Sequence, residues 1–144
     1  MICSFVIPGE AKGKARPKST IINGHARVYT PGKQIEYENW VRLNFLEDNP
    51  EFASRPLFAE DKPLNVIIRI YRQMPKSFSK KKRQEMCLRP CLTKPDVDNV
   101  AKSICDALNG IAYHDDSQIY TLTVSKEWSP DTSRVMVIIA EWEH

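Results

Sequence analysis

The chain has 144 residues, with 21 Lys and Arg against 18 Asp and Glu, a formal charge of +3. Hydrophobic residues make up 42% and charged residues 27%, a balance that excludes collagen-like, mucin-like and wholly disordered chains. No apolar run reaches the roughly 18 residues of a membrane span, and residues 1–5 carry no basic stretch leading into an apolar one, so neither an anchor nor a signal peptide is expected. At about 150 residues per domain, one domain over 1–144 is expected, large enough to fold without a disulfide or zinc staple. Cysteines at 3, 87, 91 and 105 form no dense framework, which points to a reduced, cytoplasmic setting.

Residues 2–7 are apolar and β-prone, a strand that Pro8-Gly9 ends. Residues 9–20 set Lys12, Lys14, Arg16 and Lys18 among Gly13, Ala15 and Pro17, which reads as a basic loop. Asn23-Gly24 predicts a short type I′ hairpin. Pro31 opens a helix whose apolar face is expected to be Ile35, Trp40, Val41, Leu43 and Leu46, ending at Asn49-Pro50. Residues 64–71 form a strong strand. Ser77 or Ser79 caps a short basic helix with Lys80, Lys81, Lys82 and Arg83.

The clearest helix follows. Val97, Val100, Ala101, Ile104, Ala107 and Leu108 repeat with a 3.6-residue period, Asp96 stands at the N-cap and Gly110 just beyond the end. Tyr120, Leu122 and Val124 alternate with polar residues, a half-buried strand. Residues 129–131 turn the chain back, and residues 134–142 form an apolar, central strand. Trp40 and Trp142 are expected in the core. The order predicts an α+β fold, a mixed β-sheet packed against helices.

Two familiar motifs fail. Gly9 to Lys14 has three residues between its glycines and Ala15 after its lysine, so it is no P-loop. Asp96-Val97-Asp98-Asn99 begins like a calcium loop, but Ala101 and Ala107 stand where Gly and Glu are needed. Cys87 and Cys91 lack a companion histidine, and His25, His114 and His144 share no ligand spacing.

Charge distribution is more informative. The 23 residues from Lys94 to Asp116 hold five acids and two bases, so the rest of the chain carries +6. Asp98, Lys102 and Asp106, at i, i+4 and i+8, form one polar stripe opposite the apolar face of the helix. Asp115-Asp116 follow the helix, and an up-and-back path brings them towards Asp96 and Asp98. Clustered carboxylates persist when protonated, paired or bridged by a cation. Hard oxygen donors without His or Cys suit Mg²⁺ or Mn²⁺, which assist phosphodiester hydrolysis, while Lys102 can stabilise charge on the phosphate. Singly, Asp96 reads as a cap, the stripe as a surface ion-pair ladder and Asp115-Asp116 as a turn. Together, in a basic protein, they point to a metal-dependent nuclease. The competing readings are a non-catalytic DNA-binding module and a nucleotide-directed phosphotransfer enzyme, the latter lacking a Gly-rich phosphate cradle.

The pattern Lys94-Pro95-Asp96-Val97-Asp98-Asn99, Lys102, Asp106-Ala107-Leu108 and Asp115-Asp116-Ser117-Gln118 resembles the RusA family of Holliday-junction resolvases, often prophage-encoded. Gly13-Lys14-Ala15-Arg16-Pro17-Lys18 is similar to a basic loop of a phage-type branch, with Lys18 where that pattern has a second Arg. The resemblance implies a homodimer that binds four-way junction DNA and nicks two strands symmetrically with Mg²⁺ or Mn²⁺. It implies metal ligands at Asp96, Asp98 and Asp116 with Asp115 beside them, and Lys102 as the catalytic lysine. Lys12, Lys14, Arg16, Lys18, Lys94 and Asn99 are the expected DNA-contacting positions.

Overall fold

The computed structural model describes residues 1–14, 18–29 and 32–143. Strand β1 (Ile2–Pro8) alternates strictly, with Cys3, Phe5 and Ile7 buried. Strands β2 (Lys18–Ile22) and β3 (His25–Tyr29) form a separate hairpin. Its two-residue turn has positive φ at both Asn23 (51°) and Gly24 (78°), the type I′ geometry expected. Helix α1 (Gly32–Asp48) follows, then β4 (Leu64–Gln73), α2 (Lys80–Met86), α3 (Val97–Ala107), β5 (Ile119–Ser129) and β6 (Arg134–Glu141). Short 3-10 turns occupy Pro50–Phe52 and Asp116–Gln118.

The main sheet has the order β1-β6-β4-β5. β6 pairs antiparallel with both β1 and β4, whereas β4 and β5 run parallel. A parallel pair needs a crossover, and the long connection carrying α2 and α3 supplies it. Thus β6 is central, as expected, but the turn at 129–131 carries the chain past β4 and does not make a hairpin with β5.

One face of the sheet is covered. Phe5, Ile7, Val66, Ile68, Ile70, Val135, Val137 and Ile139 meet Val41 and Phe45 of α1 and Val100 and Ile104 of α3 in one core. Phe45 lies edge-on to Phe5 and to Phe52, with ring centroids 5.2 and 5.0 Å apart, which pins the end of α1 to β1. A smaller cluster of Met74, Cys91 and Trp128, with Phe78 and Met86 against it, seats α2. Ser79 caps that helix by accepting from the Lys82 amide at 3.1 Å.

Three expectations are corrected. The buried face of α1 is Gln34, Tyr37, Val41, Asn44 and Phe45, whereas Ile35, Trp40 and Leu43 are exposed. Apolar spacing misleads there because this helix buries polar side chains against its neighbours. Neither Trp40 nor Trp142 is in the core. Trp40 is 40% exposed and its indole N–H donates to the Pro8 carbonyl, while Trp142 lies 5.3 Å from the Tyr120 ring. Finally, Tyr120 and Leu122 are 65% and 46% exposed. They lie on a sheet edge beside an open cleft, so alternation there does not mean burial.

The two sheet edges are treated differently. Along β1, Asn49 donates to the Ser4 carbonyl, the Val6 amide donates to Asp48, and Trp40 reaches Pro8. Along β5, residues 88–91 pair with Lys126 and Trp128, but among the described residues no backbone segment pairs with the outer edge at Leu122 and Val124.

Candidate active site

Helix α3 is amphipathic because its apolar residues recur at a helical period, burying Val100, Ala101, Ile104 and Ala107. That burial turns Asp98, Lys102 and Asp106 outwards. Asp98 and Lys102 then line an open cleft of about 590 Å³, together with Asp116. Its opposite wall is Ile119, Tyr120, Leu122 and Val124 of β5. The β4–β5 register steps from Ile119 to Thr121 and skips Tyr120, a bulge that leaves this ring beside the cleft.

The start of α3 is held from behind. Arg72 of β4 donates to the Lys94 carbonyl and the Thr93 hydroxyl. Lys126 of β5 donates to the Thr93 carbonyl and, at 2.7 Å, to the Pro95 carbonyl. From the front, Gly13 packs so closely that a Cβ there would lie 3.0 Å from the Asn99 Cβ. The Lys14 amide donates to the Asn99 carbonyl at 2.9 Å. Arg72 and Lys126 are site-supporting residues that no local sequence pattern marks, since only the pairing of β4 with β5 brings them to residues 93–95.

Beyond α3 the chain turns tightly, and Asp116 arrives near the C-terminal end of the helix. Its amide donates to the Asn109 side chain at 2.8 Å. Partial burial, repulsion from Asp115 and Asp106, and a side-chain hydrogen bond with Asp106 raise its pKa above the usual aspartate range. Asp115 accepts from the Ser117 amide at 3.1 Å, and this hydrogen bonding lowers its pKa. Gln118 closes the turn. It accepts from the His114 and Asp115 amides and donates to the Ala59 and Lys62 carbonyls.

Asp98, Lys102 and Asp116 are therefore brought to one cleft. Asp96 and Asp115 are not among its lining residues. Asp96 stands at the N-cap but caps no amide; both its oxygens take the Lys94 ammonium at 2.9–3.0 Å. Of the expected meeting of Asp115-Asp116 with Asp96 and Asp98, the cleft joins Asp98 and Asp116. Asp116 also contacts Asp106, about two turns along α3 from Asp98. Among the described residues, no group of three or more His, Cys, Asp or Glu is close enough to hold a metal. The donor chemistry nonetheless fits a hard divalent cation. Asp98 and Asp116 offer carboxylate oxygens to one cleft, and Mg²⁺ commonly takes only one or two protein carboxylates beside a phosphate.

The cations divide into free and engaged. Lys12 is exposed. Lys14 is 24% exposed and lies 2.6 Å from Glu38 and 3.4 Å from Asp106. Burial opposes its charge, but hydrogen bonds and attraction to these two acids outweigh it and raise its pKa. Arg16 and the Lys18 side chain lie outside the described residues. In α2, Lys82 sits 4.2 Å over the Phe78 ring and Arg83 donates to the Pro75 and Phe78 carbonyls. Tyr113 is fully buried, and its hydroxyl donates to the Cys105 carbonyl at 2.6 Å.

Comparison with known proteins gives the chain's family. The family model described as endodeoxyribonuclease RusA matches residues 8–140. The chain is also 38% identical over 142 residues to the uncharacterized protein YqaN of Bacillus subtilis (strain 168), covering 95% of this chain and 94% of that one. The match takes in the cleft, helices α1 to α3 and three of the four strands of the main sheet, and the chain belongs to the RusA endodeoxyribonuclease family.

Proposed function

We propose that the protein resolves four-way DNA junctions by metal-dependent hydrolysis of a phosphodiester in the α3–β5 cleft. The observation that carries this reading is the placement of Asp98, Lys102 and Asp116 on one cleft in a chain of this family. Asp98 and Asp116 would hold Mg²⁺ or Mn²⁺, with Asp96 and Asp115 adjoining them in sequence. When bound, the ion polarises the phosphodiester and lowers the pKa of an attacking water. Lys102 has a 65% exposed side chain, held 3.7 Å from Asp106. It meets the phosphate oxygens and stabilises the charge that grows on them. The carbonyl clamp from Arg72 and Lys126 fixes the direction in which α3 presents Asp98. Exposed Lys12 and Lys94 attract the DNA backbone, as do Arg16 and Lys18.

The substrate has two-fold symmetry, and a two-fold pair of subunits supplies two related sites. The unpaired outer edge of β5, with exposed Tyr120 and Leu122, supports such a homodimer. No helix of the described residues is long and apolar enough to cross a membrane.

The test is cleavage of a labelled synthetic four-way junction and of linear duplex with Mg²⁺, with Mn²⁺ and with EDTA, alongside Asp98→Asn. Paired nicks on the junction alone, lost with EDTA and with the variant, are expected. Salt-sensitive junction binding that no metal converts to cleavage would leave a binding module instead.

A further inference from the structure

Helix α1 meets α3 through a line of polar side chains. Gln34, Glu38 and Arg42 stand at i, i+4 and i+8, on one face of α1. Gln34 donates to the Ser103 hydroxyl at 2.9 Å, in a buried contact. Arg42 donates to the Ala107 carbonyl at 3.0 Å and lies 3.7 Å from Glu38. Glu38, with a side chain only 14% exposed, accepts from Lys14 at 2.6 Å. Lys14 reaches on to Asp106 at 3.4 Å, and Asp106 contacts Asp116. The order of contacts is thus Glu38, Lys14, Asp106, Asp116, from helix α1 to the cleft.

Two facts set this line apart from ordinary packing. Apolar residues pack an interhelical seam at least as stably as ion pairs do, yet here charged groups occupy it beside Tyr37, Val41 and Phe45. And Lys14, which its loop context marks as a phosphate ligand, already has two carboxylate partners within the chain. To contact DNA it would have to leave a 2.6 Å ion pair with a largely buried acid.

We infer that Lys14 and Glu38 are positioning residues: they fix Asp106, and through it Asp116, at the cleft, and Lys14 is not a DNA contact. The inference rests on the proposed cleavage reaction for its kinetic consequence only. A phosphate ligand and a positioning lysine make opposite predictions. Loss of a phosphate contact weakens binding to all DNA and lowers the salt dependence by about one unit of slope. Loss of a positioning contact leaves binding alone and slows the chemical step.

The experiment compares Lys14→Met, Glu38→Gln, their double variant and Lys14→Arg. Junction affinity is measured against salt in EDTA, and single-turnover cleavage with Mg²⁺. Each single variant is expected to cleave at least tenfold slower, with affinity within twofold and the salt slope unchanged. The double variant is expected to be no slower than the worse single one, and Lys14→Arg to recover most of the rate. A lowered salt slope in Lys14→Met, with Glu38→Gln cleaving like wild type, would overturn the inference.

Acetylation footprinting read by mass spectrometry decides the matter even if the wild type cleaves nothing, an outcome that would sink the proposed reaction by itself. Lys14 is expected to react slowly with or without DNA, and quickly in Glu38→Gln, whereas Lys12 is shielded only by DNA. If Lys14 reacts as fast as Lys12 and is shielded by DNA, it is a phosphate ligand. The same footprint on Glu38→Asp covers the case in which the harsher variants fail to fold.

Discussion

Gly13→Ala tests how tightly the loop around Gly13 is pressed onto helix α3. The backbone there is not left-handed, so glycine is needed for space alone. The added methyl would sit 3.0 Å from the Asn99 Cβ and 3.7 Å from the Pro95 Cβ. Neither neighbour is the far end of a flexible chain, because Pro95 lies in the clamped 93–95 segment and Asn99 in the first turn of α3. The loop must therefore move out by a few tenths of an ångström. Overpacking of this kind costs about 1–3 kcal/mol, and loss of the Lys14 amide bond to the Asn99 carbonyl adds about 0.5–1.5 kcal/mol. For a chain of this size each kcal/mol lowers Tm by about 2–4 °C, so a drop of roughly 3–18 °C is expected. Cleavage should fall further than stability, since the shift occurs against Asn99, the residue next to Asp98. Gly32→Ala is the control. Nothing lies within 4 Å of its added methyl, its φ is not positive, and it opens α1, so Tm should stay level or rise slightly. The assay is thermal unfolding followed by circular dichroism, with junction cleavage at 25 °C. If Gly13→Ala melts with the wild type and cleaves as fast, the loop does not bear on α3 as described.

Asp116→Asn should stabilise the metal-free protein while abolishing cleavage. The raised pKa means that, between the usual aspartate range and that raised value, the folded state holds a proton the unfolded state lacks. Stability therefore falls as pH rises through that window. Asp116 is partly exposed, so solvent screening keeps the gain below about 1 kcal/mol, read as a Tm rise of up to about 3 °C at pH 7 that vanishes in acid. Lys102→Met should slow single-turnover cleavage by about 100-fold or more and, as the loss of a phosphate contact, lower the salt slope of junction binding by about one. Gln118→Ala removes four hydrogen bonds from the Asp115-Asp116 turn and should lower stability by about 1–3 kcal/mol, checked by urea unfolding. Tyr113→Phe leaves the buried Cys105 carbonyl without its hydroxyl donor and should cost about 1–2 kcal/mol in the same assay.

Helix α3 could be read directly because its apolar residues serve one purpose, burial against the sheet. Helix α1 could not, because it has three. It packs Tyr37, Val41 and Phe45, caps the edge of β1 through Trp40, Asp48 and Asn49, and carries the polar line towards α3. Its buried face therefore contains Gln34 and Asn44 while Ile35 and Leu43 face water. The stripe from Asp98 to Asp106 was legible for the same reason as α3 itself. Where Asp116 meets that stripe was not. This depends on the Leu108–Tyr113 turn, in which the Gly110 and Ala112 amides donate to Tyr113 and Leu108 and return the chain beside Asp106. Spacing in sequence brings Asp116 to the helix but does not say to which end. The Arg72 and Lys126 clamp was invisible because it exists only once a parallel register is set.

The unequal edges of the sheet limit how copies of this protein can join. A sheet with two open edges can add strands at both, and like molecules then stack without end. Here side chains of α1 occupy the β1 edge, and only the first half of β5 is free. A subunit that joins another through that half-edge has no second edge to offer. Association through that half-edge would therefore close after one partner, in a self-complementary contact. Stripping the β1 edge with Asp48→Ala and Asn49→Ala would remove this restraint and expose a second edge to which further copies could add.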